Sequence, residues 1–144
     1  MFSRSVREVI DRNRLVTCGG DASVRDAAGL MRSHGVGAIL VMAGDSLAGI
    51  LTERDIACRV VACDRDPGST LLSEVMTAAP LTISPDRSFG HALTLMHDHG
   101  FRHLPVVENG RPIGIVSARN ALDPDLEEFV AESMRREQFR RESN

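Results

Sequence analysis

The 144-residue chain contains no lysine, no tryptophan and no tyrosine; all 17 of its basic residues are arginine. Without lysine there is no Walker-type phosphate loop, which needs Gly-Lys, and no Schiff-base nucleophile. Arginine is left as the only permanent cation for an anionic ligand. Five phenylalanines are the whole aromatic complement beside 42% hydrophobic residues, so the core has to be aliphatic and methionine-filled. Cys18, Cys58 and Cys63 are odd in number and show no Cys-x-x-Cys spacing, which points to free thiols in a reducing compartment. No apolar run reaches the length of a membrane span, and the amino terminus lacks a signal-peptide pattern. A cytoplasmic protein with no membrane partner is therefore expected. The net charge of −3 and a pI near 5.9 argue against a basic nucleic-acid-binding surface. No triad or carboxylate dyad appears. His91, His97 and His99 do not share a helical face, and no carboxylate stands at a useful spacing from them or from His103, so neither catalysis nor a metal site is expected.

What the chain does contain is one stretch written twice. Gly49-Ile50-Leu51-Thr52-Glu53-Arg54-Asp55 reads as an apolar strand ending in a hydroxyl residue, followed three positions later by a carboxylate where a helix starts. Backbone N–H groups at such a start are unpaired and suit an anion, Thr52 adds a hydroxyl, and Asp55 can accept hydrogen bonds from a diol such as ribose. The same residues also make an ordinary N-cap with an acidic first turn. Sixty-five residues later comes Gly114-Ile115-Val116-Ser117-Ala118-Arg119-Asn120. Sliding residues 16–55 onto 81–120 needs no gap and gives twelve identities in forty positions, among them Ser23/Ser88, Met31/Met96, Gly35/Gly100, Gly49/Gly114 and Arg54/Arg119. This is a tandem repeat of β-α-β-β-α type, and two such small units should pack together.

Periodicity places the elements. A short helix falls within residues 1–14 and an extended stretch at 15–18. Ser23 opens a helix with Val24, Ala27, Ala28 and Met31 inward, stopped by Gly35. Strands follow at 38–42 and 47–51, then a helix at 53–62 with Ile56, Ala57, Val60 and Val61 inward. After a Pro67-Gly68 linker come a helical turn at 72–76, an extended piece at 81–83, a helix from Ser88, and two strands joined by the Asn109-Gly110 hairpin signal. Asp123-Pro124 starts a last helix with Leu126, Phe129, Val130 and Met134 on one stripe. The division is residues 1–70 for the first repeat with its leading helix and linker, 71–122 for the second, and 123–144 for an amphipathic C-terminal helix.

Together with Arg102-His103-Leu104-Pro105-Val106-Val107, the two motifs resemble the cystathionine-beta-synthase-type (CBS) domain pair, or Bateman module, over roughly residues 5–122. The resemblance implies an α/β fold of two β-α-β-β-α units in pseudo-two-fold contact through their sheets. Two clefts would lie between them, and the module would form a homodimer. It implies that Thr52, Arg54 and Asp55 hold the phosphate side and ribose of an adenine nucleotide. Thr82 and Ile83 would flank its base, and Arg102, His103 and Pro105 belong to the same set. Ser117, Arg119 and Asn120 would form a second cleft, crossed by Thr17 and Cys18. Asn120 stands where the family has a ribose-binding Asp. A neutral amide offers one acceptor where a carboxylate offers two charged ones, so the second cleft is expected to be weak or empty.

The resulting expectation is a regulatory, non-catalytic module whose effector is AMP, ADP, ATP or a related adenosyl ligand, with no obligatory cofactor and with another polypeptide as its target. The alternative is a ligand-free structural dimerisation adaptor that works through its C-terminal helix.

Overall fold

The computed structural model describes residues 2–10, 14–122 and 135–143. After α1 (Val6–Val9), the first repeat runs β1 (Thr17–Gly19), α2 (Val24–His34), β2 (Ala38–Ala43), β3 (Ser46–Thr52) and a single turn α3 (Glu53–Asp55) that continues as a π-helix (Ile56–Val61). The second runs α4 (Leu72–Val75), β4 (Thr77–Ala78), α5 (Phe89–His99), β5 (His103–Glu108), β6 (Arg111–Ser117) and a 3-10 turn (Ala118–Leu122). Residues 135–142 are helical. The expected stripe at Leu126, Phe129, Val130 and Met134 lies outside the described residues.

Local chemistry sets the same boundaries in both copies. Ser23 Oγ accepts from the Asp26 N–H and Ser88 Oγ from the His91 N–H, both at 3.1 Å, so one free amide at each helix start is satisfied. Gly35 and Gly100 end the two helices at φ 63° and 72°, a left-handed conformation that costs a residue without Cβ little. Hairpin registers also repeat: Ala38 faces Thr52 as His103 faces Ser117, and each hairpin shifts register at one place, Val41/Met42 and Val106/Val107. The first sheet has order β1-β2-β3-β4, with β1 parallel to β2 and the other pairs antiparallel. In the second, β5 and β6 pair, and Ile83 adds one parallel bridge to Val106.

The cores do not follow the linear division. Val6 and Ile10 pack with Ile83, Phe89, Met96, Leu104, Val106 and Val116, all from the second repeat. Leu72 and Val75 of α4 pack instead with Val24, Met31, Ile39, Val41, Leu51 and Val60 of the first. Backbone bonds fix both crossings, Val6 N–H to Arg87 O at 2.8 Å and Leu72 N–H to Ala22 O at 3.0 Å. Arg7 ties the first of them to Asp86, at 3.2 Å, and to Glu108. So each repeat is completed by the helical turn that precedes the other, and α1, placed with the first repeat in the division at residue 70, serves the second in space. A third cluster of Ala38, Leu40 and Ile50, with Leu47 and Ile115 against it, joins the sheets across the pseudo-two-fold.

One helix departs from its expected face. Over Ile56–Val61 the bonding widens to i→i+5, with Ala62 N–H to Ala57 O at 2.9 Å. Ile56 stays half-buried and Val60 buried, while Ala57 and Val61 turn outward, Val61 being 68% exposed. The wider turn presents Arg59 Nη1 to the Val75 and Met76 carbonyls at 3.2 and 3.1 Å, satisfying acceptors that the end of α4 leaves open.

Candidate functional site

A repeat offset of 65 means that each position near the pseudo-two-fold has a partner across it. Gly37 pairs with Arg102, Ala38 with His103, Glu53 with Ala118, Thr52 with Ser117, Arg54 with Arg119 and Asp55 with Asn120. A cleft of about 510 Å³ opens at this junction. Its walls come from Arg14 and residues 35–38 of the first repeat, from Arg102, His103 and Ile115, and from residues 117–120; Glu53 reaches in from the start of α3. Gly37 makes room at its centre: a Cβ there would stand 3.2 Å from His103 Nε2 and would collide with the Glu53 carboxylate. The Glu53 N–H donates to Gly37 O at 3.0 Å, which pins the base of that side chain.

The charges of the junction therefore gather in one cleft. Arg14, Arg102 and Arg119 line it; the repeat partners of Arg14 and Arg102 are the uncharged Ala79 and Gly37, and Arg54, the partner of Arg119, lies outside it. The half-buried His103 ring is held below the ordinary imidazole range by desolvation; the nearby Glu53 charge works against this, and Arg119 and Arg102 add to it. The imidazole is consequently neutral near pH 7. Asn120 Oδ1 accepts from the Ser117 N–H at 2.7 Å, so what the amide offers a ligand is its NH2, a donor. Ser117 Oγ accepts from the Arg119 N–H at 3.1 Å.

Thr52 and Asp55 are arranged differently. Asp55 Oδ2 accepts from the Thr52 N–H at 2.9 Å and from the Thr52 hydroxyl at 3.1 Å, while Thr52 Oγ1 accepts from the Asp55 N–H at 3.2 Å, a complete capping box. Asp55 Oδ1 faces Arg59 Nε at 3.7 Å. Both carboxylate oxygens are thus engaged within their own helix, and neither Thr52 nor Asp55 lines the 510 Å³ cleft. Arg54 is exposed and outside it as well.

The structure places the expected residues in a different grouping. Arg102 and His103 line the cleft of Ser117, Arg119 and Asn120 rather than that of Thr52 and Asp55, because they stand beside the pseudo-two-fold, where Gly37 leaves room on the opposite wall. Ile83 and Pro105 are buried and bonded to each other, Ile83 N–H to Pro105 O at 3.0 Å, so the Ile83 side chain belongs to the core of the second repeat. Thr82 is exposed beside it. Thr17 and Cys18 border a separate hollow with Asp45 and Arg111. Two residues of the cleft, Arg14 and Glu53, escaped the sequence reading as ligand groups. The signal for Glu53 was its place in the first motif beside Thr52; for Arg14 there was none.

Cys18, Cys58 and Cys63 are free thiols, and desolvation, with the charge of Asp26, pushes the Cys18 thiol up. Among the described residues no three His, Cys, Asp or Glu side chains cluster as metal ligands, and no helix is long and apolar enough to cross a membrane.

Comparison with known proteins bears on the same region. The family model described as the CBS domain matches residues 6–62 and 72–127. The CBS domain-containing protein YhcV of Bacillus subtilis is 40% identical over 104 residues, 72% of this chain and 74% of that protein. The structure of a protein with CBS domains from Burkholderia ambifaria superposes with a TM-score of 0.77 at 35% identity, over 85% of this chain and 91% of the other. The CBS domain pair of protein MJ0100, solved in complex with 5′-methylthioadenosine and S-adenosyl-L-methionine, superposes with a TM-score of 0.75 over 83% and 97% of the two chains. At 23% identity that likeness is one of fold.

Proposed function

Because the chain belongs to the CBS domain family as a tandem pair, a regulatory module, we propose that it senses an adenine nucleotide and does no chemistry on it. The nucleotide sits in the cleft of Ser117 and Asn120, not at Thr52 and Asp55. The observation that carries this reading is the convergence of Arg14, Arg102 and Arg119 on a 510 Å³ hollow at the repeat junction. A planar guanidinium pairs two N–H donors with two phosphate oxygens, and such charge-assisted bonds are about twice as strong as neutral ones. The Asn120 NH2 can donate to a ribose oxygen, and Val36 and Ile115 give the cleft apolar wall for a base. The adenosyl ligands in the MJ0100 pair, a module of the same fold, support adenosine as the nucleoside part.

A binding module transmits only the difference in its ligand's affinity for two states. The state read out is that of another polypeptide or of a homodimer of this chain. Isothermal titration with AMP, ADP, ATP and S-adenosylmethionine, and with guanosine counterparts as controls, tests the reading. Saturable adenine-selective binding at one site per chain is the expected result. No binding by any of them would leave the ligand-free adaptor.

A further inference from the structure

We propose that Glu53 is the specificity-determining residue of this cleft: its carboxylate, lent by the first repeat to a site built on the second, limits how many phosphates the bound nucleotide carries. The inference rests on the adenine-nucleotide reading and settles what that reading leaves open, the choice among mono-, di- and triphosphate.

Glu53 and Ala118 are repeat-related, and both line the cleft, so the junction holds one carboxylate where an exact two-fold would hold two or none. Its backbone N–H is bonded to Gly37 O, and its side chain lies over Gly37, in the space to which His103 Nε2 also comes from the other repeat. The carboxylate of this exposed residue thus stands at the junction. Among the described residues it forms no ion pair with Arg14, Arg102 or Arg119.

Three arginines against one glutamate leave the lining with a formal charge of +2, His103 being neutral. A phosphate monoester carries about −1.5 to −2 at neutral pH, so a nucleoside monophosphate balances the cleft. Each further phosphate adds negative charge with no further arginine in the lining to meet it, and Glu53 repels it. A unit charge roughly 8 Å away in a half-exposed cleft shifts affinity by about fivefold per added charge.

The test is the dissociation constant of adenosine, AMP, ADP and ATP, measured without divalent cations at fixed ionic strength, for the wild type and for Glu53→Gln. The wild type should bind AMP more tightly than ATP. Glu53→Gln, which keeps the shape and removes the charge, should lower the ATP-to-AMP ratio of dissociation constants by about 25-fold, fivefold for each of two added charges, and leave adenosine unchanged. Ala118→Glu, which adds a second carboxylate at the related position, should raise that ratio. A ratio unmoved in Glu53→Gln, a wild-type preference for ATP, or an equal loss for all four ligands would overturn the proposal. In each of those cases the nucleotide still binds and the sensor reading stands. If none of the four binds the wild type, the sensor reading fails and this proposal with it.

Discussion

Replacing Asp55 by alanine separates a helix cap from a ligand group. The substitution removes two hydrogen bonds to Asp55 Oδ2, from the Thr52 N–H at 2.9 Å and the Thr52 hydroxyl at 3.1 Å, and the weaker approach of Arg59 at 3.7 Å. The Thr52 N–H then has only water as a partner. A net hydrogen bond is worth about 1 kcal/mol and a complete N-cap about 0.5–2 kcal/mol, and the two overlap here, so the expected loss is about 1–2 kcal/mol. For a domain of this size that lowers Tm by about 3–8 °C. Thr52→Ala removes the other half of the same box, and the double variant should lose less than the sum, with a coupling of about 1 kcal/mol. The assay is urea unfolding of the four proteins, with AMP titrated into each. Destabilisation with nucleotide affinity retained is the expected outcome. Unchanged stability with nucleotide binding abolished would show that Asp55 is the ribose acceptor and that the cleft is wrongly placed.

Two further outcomes follow from the geometry. A Cβ at Gly49 would come within 2.9 Å of the Thr77 carbonyl oxygen, a backbone atom, whereas the three atoms nearest to one at Gly114 all belong to the Ile10 side chain, with Cδ1 at 2.9 Å. Gly49→Ala should therefore cost about 1–3 kcal/mol in urea unfolding and Gly114→Ala distinctly less; equal losses would contradict the packing described. Because burial holds His103 below its ordinary value of 6.5, the unfolded chain takes up that proton first as the pH falls. Its contribution to stability is full above about pH 6.5 and is lost as the pH drops from there through the folded-state value, so the wild type should lose more stability than His103→Gln between about pH 8 and pH 5; an identical or steeper loss in the variant would refute this.

Much of this architecture was readable because each boundary is encoded where it occurs. Ser23 and Ser88 cap helices, Gly35 and Gly100 end them, and Asn109-Gly110 turns a hairpin through residues at φ 53° and 77°. The tandem copy made the pairing of the sheets legible too, since matching faces such as Ile50 and Ile115 had to meet somewhere. What stayed hidden depends on contacts remote in sequence. Nothing in Val6 or Ile10 says that they fill the core around Phe89 rather than the one around Val24. The π-helix that turns Val61 outward goes with bonds from Arg59 to the Val75 and Met76 carbonyls, 16 and 17 residues away. The site was legible as a set of residue types but not as a grouping. Arg102 looked like a partner of Asp55 in the motif, yet the junction turns it toward Asn120, because glycine stands at position 37 and leaves the space.

That asymmetry gives the most direct test of the account. Arg54 and Arg119 occupy the same position in the two repeats, but only Arg119 lines the cleft, while Arg54 is exposed and outside it. AMP affinity measured by calorimetry for Arg54→Ala and Arg119→Ala compares the two repeat-related positions with one chemical change. Arg119→Ala should weaken AMP by about tenfold, the loss of one charged hydrogen-bonding partner, and Arg54→Ala should leave it unchanged. A loss confined to Arg54→Ala, or equal losses in both with two sites per chain, would contradict it.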